Sequence, residues 1–201
     1  MKVLVSTPTY GNMLDSRMVS SFLNLLQECR DKNIALEWDR PNSPMLAYNR
    51  NASAHKAQID QADWLLYWDS DTVIPDPGFL LGMIDTAYKN GADVVGLPCR
   101  LKVEEKIYNY AKKIDGKYIN GKDLEKEPFP VDVIGTGVML IRVARLTELE
   151  HPYFTFVDTF SDKPGFFPED WTFCEQMHKK NGVVFCDPRF EVIHYGSYGF
   201  K

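Results

Sequence analysis

Chemistry is first legible in the acidic pair Asp69 and Asp71. Carboxylates two apart on extended chain point the same way and offer hard oxygen ligands to a divalent cation, which phosphates and water then complete. The pair directly follows Trp64-Leu-Leu-Tyr-Trp68, an unbroken run of bulky apolar residues. Acids at the end of so buried a strand are poorly explained by solvation alone. Three further groups join them as candidates. His194 can share such an ion through a neutral imidazole. Asp170, behind Glu169 at the start of a helical segment, is placed to act as a general base, although acids there also complement the helix dipole. Arg50 offers a planar fork to a nucleotide or its diphosphate, and fits equally well as a surface residue of an alanine-rich helix.

The elements that must position these groups follow from hydrophobic pattern. Lys2 to Ser6 reads as a short buried strand, stopped by the turn formers Thr7-Pro8-Thr9-Tyr10-Gly11-Asn12. Met18, Phe22, Leu25, Leu26 and Cys29 recur at spacings of three and four, which predicts an amphipathic helix from about Ser16 to Cys29. Ala35 to Trp38 predicts a second strand, and Pro41 and Pro44 make the next stretch a loop. A helix over about Met45 to Gln61, a strand over Trp64 to Trp68, a helix over about Gly78 to Lys89 and a strand over Val94 to Leu97 complete the first half. This β-α-β-α-β-α-β alternation predicts an α/β domain with a mainly parallel central sheet flanked by helices. Ligands of such sheets sit outside the carboxyl ends of the strands, so Thr7 to Tyr10, Asp39 and Asp69 to Asp71 should gather on one edge.

The second half is less regular. Lys102 to Lys126 reads as a hairpin or surface excursion, with Asp115-Gly116 and Asn120-Gly121 as turn pairs. Val138 to Arg142 is a strand after Gly135-Thr136-Gly137, and a long loop runs past Pro152, Pro164 and Pro168. A helix from about Glu169 to Lys180 should end at Asn181-Gly182 with the glycine as left-handed cap. Val183 to Cys186 is a late strand, and His194 follows an apparent strand, Phe190 to Ile193, into a glycine- and tyrosine-rich tail.

Composition excludes several classes. Apolar residues make 44% of the chain and charged residues 25%, a globular balance that disordered chains do not reach. A net charge of −5 without a basic stripe disfavours a protein built to grip nucleic acid, while leaving one that touches it at a single point. No apolar run approaches the roughly 20 residues of a bilayer span, and no secretory h-region follows Met1. Cys29, Cys99, Cys174 and Cys186 form no C-x-x-C pair and read as buried, reduced thiols, which together with the missing leader predicts a cytoplasmic location. Walker-type and dinucleotide glycine loops are both absent.

Taken in order, the motifs resemble the GT-A fold glycosyltransferases, and within them the family 2-like enzymes. The resemblance rests on Val3-Leu-Val-Ser-Thr-Pro-Thr-Tyr10, Tyr48-Asn-Arg-Asn-Ala52, Ala62-Asp-Trp-Leu-Leu-Tyr-Trp-Asp-Ser-Asp71, Gly135-Thr-Gly-Val-Met-Leu-Ile-Arg142, Pro168-Glu-Asp-Trp-Thr-Phe-Cys174 and His194-Tyr-Gly196. It spans nearly the whole chain and implies one GT-A domain over residues 1–201, with nucleotide-sugar binding mainly in 1–100 and the acceptor side mainly in 101–201.

The resemblance also implies roles. Thr7, Pro8, Thr9 and Tyr10 match the loop around base and ribose, Asp39 a carboxylate that accepts the uracil N3–H, and Arg50 an Arg-Asn position near the nucleotide. Asp71 matches the ligand of Mn²⁺ or Mg²⁺ bridging the two phosphates. Asp69 matches a contact to ribose or to metal-bound water, Ser70 lies between them in the donor site, and His194 matches a third protein ligand. Glu169 and Asp170 match the acceptor-side acidic pair, with Asp170 the base of an inverting enzyme. Gly135, Thr136 and Gly137 match a turn that lets backbone approach donor and acceptor, and Trp171 is a ring for stacking on a sugar or, equally, for the core. The expected activity is transfer of a sugar from a nucleoside-diphosphate sugar, with UDP the expected nucleotide, to a glycan or other hydroxyl acceptor. The rival expectations are a nucleotidyl- or phosphosugar-transferase on a related fold and a non-catalytic nucleotide- or carbohydrate-binding module.

Overall fold

The computed structural model describes residues 1–158 and 166–196, together with the backbone of 199–200. Val3, Leu4 and Val5 open the chain as β1 (Lys2–Ser6), followed by α1 (Ser16–Asp31), β2 (Ala35–Asp39), α2 (Leu46–Ile59) and β3 (Trp64–Trp68). Next come β4 (Thr72–Val73), α3 (Phe79–Asn90), β5 (Val94–Gly96), β6 (Tyr110–Ile114), β7 (Lys117–Asn120), β8 (Phe129–Pro130), β9 (Val133–Ile134) and β10 (Val138–Arg142). The remainder is α4 (Val143–Leu146), β11 (Val157–Asp158), β12 (Phe166–Phe167), α5 (Glu169–Lys179), β13 (Val184–Cys186), β14 (Ile193–Tyr195) and β15 (Gly199–Phe200).

Seven strands make the central sheet in the order β2-β1-β3-β10-β5-β13-β8. β2, β1, β3, β5 and β13 run one way, and β10 and β8 run against them. The expected mainly parallel α/β sheet is therefore present. Alternation along its strands divides the core. Val3, Val5, Leu66 and Trp68 pack with Met18, Phe22 and Leu25 of α1 and Leu80 and Met83 of α3. Leu4, Leu65 and Tyr67 face the opposite way, toward Ala54 and Ala57 of α2 and Phe173 and Met177 of α5. All five residues of β3 are buried, because both of its faces are covered by helices.

Differences from the sequence expectations fall in the second half. Asp115-Gly116 does turn the β6–β7 hairpin, with both residues at positive φ. Asn120-Gly121 does not turn: Gly121 continues backbone pairing with Tyr108 and Tyr110, and a Cβ there would lie 1.9 Å from the Tyr110 ring. At the end of α5 the left-handed residue is Asn181 (φ 56°), not Gly182, which is bare because the Met177 side chain crosses it. The loop after α4 carries the short pair β11–β12, and its Pro164 lies outside the described residues. The four cysteines are free and buried. Among the described residues no helix is long and apolar enough to cross a membrane.

Candidate active site

The carboxyl ends of β1 and β3 lie side by side, since Ser6 pairs with Tyr67. The chain leaving each end forms a wall of one cleft. Pro8, Thr9 and Tyr10 leave β1, and Asp69, Ser70 and Asp71 leave β3. Ser43, Pro44, Leu46 and Asn49 close the third side, and together they line a cavity of about 240 Å³. A second hollow of about 400 Å³ shares Thr9 and is lined by Asn12, Leu14, Trp38 and Arg40. The indole of Trp38 is fixed there by stacking on Phe22 at 4.0 Å and by donating to Thr7 Oγ1 at 3.0 Å. A larger hollow of about 740 Å³ lies on the outer side of α2, against Tyr48, His55, His151 and Tyr153, but no carboxylate lines it.

His194 sits in a strand, not in a tail. β14 pairs antiparallel with β4, His194 opposite Thr72, and Tyr195 N–H donates to the Asp71 carbonyl at 2.9 Å. This pairing sets the imidazole Nε2 3.5 Å from Asp71 Oδ1. Its Nδ1 faces the Arg100 carbonyl at 3.0 Å. A carbonyl only accepts, so Nδ1 carries a proton, and Nε2 is the nitrogen turned to Asp71. Burial alone would push the Asp71 carboxyl up, but His194 and Lys102 override it and hold the group at about 2. Lys102 Nζ lies 2.5 Å from Asp71 Oδ2.

Asp69 faces the other way. Its Oδ1 lies 3.6 Å from Arg50 Nη2, and burial raises its carboxyl against the pull of that guanidinium. Arg50 is 3% exposed, donates to Glu169 Oε1, and does not line the described cleft. Arg50 thus forms an internal tie that holds α2, α5 and the end of β3 together. Glu169 is buried in that tie. Among the described residues no three His, Cys, Asp or Glu side chains gather at metal-binding spacing, and the set brought together is Asp71 and His194. Two protein ligands completed by phosphate oxygens and water suit Mg²⁺ or Mn²⁺, so the residues present fit such an ion.

Asp170 is linked to the acidic pair through the Gly135-Thr136-Gly137 segment. Thr136 N–H donates to Asp170 Oδ2 at 3.3 Å, and Trp171 N–H to Oδ1 at 2.9 Å. One residue on, the Gly137 carbonyl accepts from Asp69 N–H at 3.0 Å. Burial, with Glu169 beside it, pushes the Asp170 carboxyl up to about 6 despite Arg50 and these two N–H donors. A carboxylate with that value is matched to proton transfer near neutral pH. The two glycines have a local reason: a Cβ on Gly135 would lie 2.9 Å from Asn109 Nδ2, and one on Gly137 2.8 Å from Cys99 Sγ.

Asp39 and Trp171 also lie outside the cleft lining. Asp39 accepts from Ser53 Oγ at 2.5 Å, and Ser53 accepts from Ser6 in turn, so this carboxylate braces α2 against β1 and β2. Trp171 is half-buried between Tyr118 and Phe167, at 5.1 and 5.7 Å between ring centres, which makes it part of a surface aromatic cluster. Lys102, the cation on Asp71, sits in a charge-rich excursion with no pattern in the sequence to single it out.

No protein-family model and no curated protein matches the chain. Solved structures do. A197 from STIV is similar with a TM-score of 0.64 and 20% identity, over 98% of this chain and 86% of that one. The likeness shows the fold. UDP-glucose pyrophosphorylase from Acinetobacter baumannii follows at TM-score 0.56 and 10% identity, over 96% of this chain and 88% of that one. A Drosophila β-galactosyltransferase variant in complex with manganese, UDP-Gal and xylobiose gives 0.53 and 11%, over 92% of this chain and 64% of that one. The central sheet and its helices are thus an architecture shared with enzymes named for nucleotide-sugar chemistry.

Proposed function

We propose that this chain is a divalent-metal-dependent glycosyltransferase of the GT-A type that moves a sugar from a nucleoside-diphosphate sugar to an acceptor hydroxyl. The observation that carries the reading is the meeting of Asp71 and His194 at the open side of the cleft between β1 and β3. Asp71 and His194 hold Mn²⁺ or Mg²⁺, which when bound supplies Lewis-acid stabilisation to the departing diphosphate. The base of the donor, UDP by this reading, lies toward Trp38 and the ribose beside Thr9 and Ser70. The two adjoining hollows, which share Thr9, support this.

Asp170 takes the acceptor proton. The acceptor oxygen bonds the anomeric carbon as the bond from that carbon to the phosphate oxygen breaks, the proton passes to Asp170 and the nucleoside diphosphate leaves. Asp170 is suited to this by its raised carboxyl and by two backbone N–H groups that fix its orientation. Displacement from the side opposite the leaving group makes the reaction inverting.

Nucleotidyl transfer is the second reading, favoured by the likeness to the pyrophosphorylase. One assay separates the two. Incubation with UDP-sugars, Mn²⁺ and a panel of hydroxyl acceptors should release UDP. Consumption of UTP and a sugar phosphate with release of pyrophosphate would transfer the assignment to the second reading. No turnover of either kind, with UDP bound equally well with and without cation, would leave a binding module.

A further inference from the structure

Lys102 stands where an ion on Asp71 would stand. Its ammonium is 2.5 Å from Asp71 Oδ2, while the His194 ring takes the other oxygen. The same stretch of chain does both jobs. Arg100 gives its carbonyl to His194 Nδ1, and Leu101 N–H closes onto the Ile107 carbonyl at 2.8 Å, which leaves Lys102 at the base of the loop between them. The loop therefore orients one ligand and covers the other with a cation.

The pair is built to exchange. The Lys102 and Asp71 side chains are 36% and 40% exposed, so water reaches both, and such solvated pairs contribute little to stability. A four-carbon stem lets the ammonium swing without backbone movement. With Arg50 committed to Glu169 and Asp69, the lining of the 240 Å³ cavity holds no Lys or Arg among the described residues, and Arg40 lines the adjoining hollow by Trp38.

We propose that Lys102 is a phosphate-binding residue that neutralises Asp71 in the empty protein, is displaced from it by the divalent cation, and turns its ammonium to the donor's diphosphate. The proposal rests on the metal-dependent reading above. It adds a charge exchange: one cation leaves the carboxylate, another arrives, and the freed one meets the incoming negative charge.

Two titrations on the intact chain test it, in wild type and in Lys102→Met and Lys102→Arg. Mn²⁺ alone, followed by water-proton relaxation at low ionic strength, should bind Lys102→Met about three- to tenfold more tightly than wild type, since a competing like charge is gone. UDP titrated calorimetrically at saturating Mn²⁺ should bind Lys102→Met about tenfold more weakly, because a charge-assisted contact is lost. Lys102→Arg should return both values toward wild type. Either titration unmoved by Lys102→Met overturns the proposal. If Mn²⁺ binds wild type and variant equally and Asp71→Asn abolishes it, only the role of Lys102 falls. If Mn²⁺ binds neither, the metal-dependent reading falls with it.

Discussion

His194 meets Asp71 because β14 pairs with the two-residue strand β4, and the pairing brings Nε2 within 3.5 Å of Oδ1. The fold thereby joins the end of β3 to a strand near the far end of the sequence and fixes the imidazole on both nitrogens. Replacement of His194 by alanine should weaken Mn²⁺ binding about 10–100-fold, the scale on which even partners of ligands act. Because the His194 side chain is partly exposed, in a small sheet apart from the central one, the unfolding midpoint should move little. Relaxation titration with Mn²⁺ and a thermal melt check this together, and unchanged Mn²⁺ affinity in a folded variant would remove His194 from the ligand set.

With Asp170 as the proposed base, its raised carboxyl predicts the pH dependence. Burial raises its carboxyl to about 6, so the carboxylate that accepts the proton is present above that value and disappears below it. Plotted against pH, kcat/KM should fall on the acid side with an apparent pKa near 6. Asp170→Asn should lower transfer by about 10²–10⁴-fold while UDP binding stays close to wild type. An acid limb near 6 that persists in Asp170→Asn would assign the proton to another group.

Arg50 and Glu169 form a buried pair, with side chains 3% and 6% exposed. Removing Arg50 leaves the buried Glu169 carboxyl, and Asp69 beside it, without their guanidinium partner. Arg50→Met should therefore cost about 3–5 kcal/mol in urea unfolding, and Arg50→Met with Glu169→Met should recover much of that loss. A single variant as stable as wild type would show that the pair is no structural tie.

What the sequence disclosed, and what it withheld, divides along range of interaction. Val3-Leu-Val5 and Trp64 to Trp68 are legible as buried strands because an element covered on both faces needs no alternation. The helices Ser16–Asp31 and Phe79–Asn90 are legible from their three-four spacing. From those elements the sheet edge that gathers Thr9, Asp69 and Asp71 follows. β4 is too short to have a period, so its pairing with His194 leaves no local trace. The Arg50–Glu169 tie joins residues 119 apart, and nothing in either neighbourhood marks the partner. Lys102 escaped for the same reason. Asn181 displaced Gly182 as the left-handed residue because asparagine also tolerates that conformation, while Met177 needed the space beside the glycine.

The most direct measurement is the calorimetric affinity of UDP with and without Mn²⁺, in wild type and in Asp71→Asn. Asp71 is deprotonated across the neutral range, so the substitution removes a full charge from the candidate metal site. The account predicts that Mn²⁺ tightens UDP binding to wild type by at least about tenfold and has no effect on the variant. Equal UDP affinity in wild type with and without the cation would contradict it.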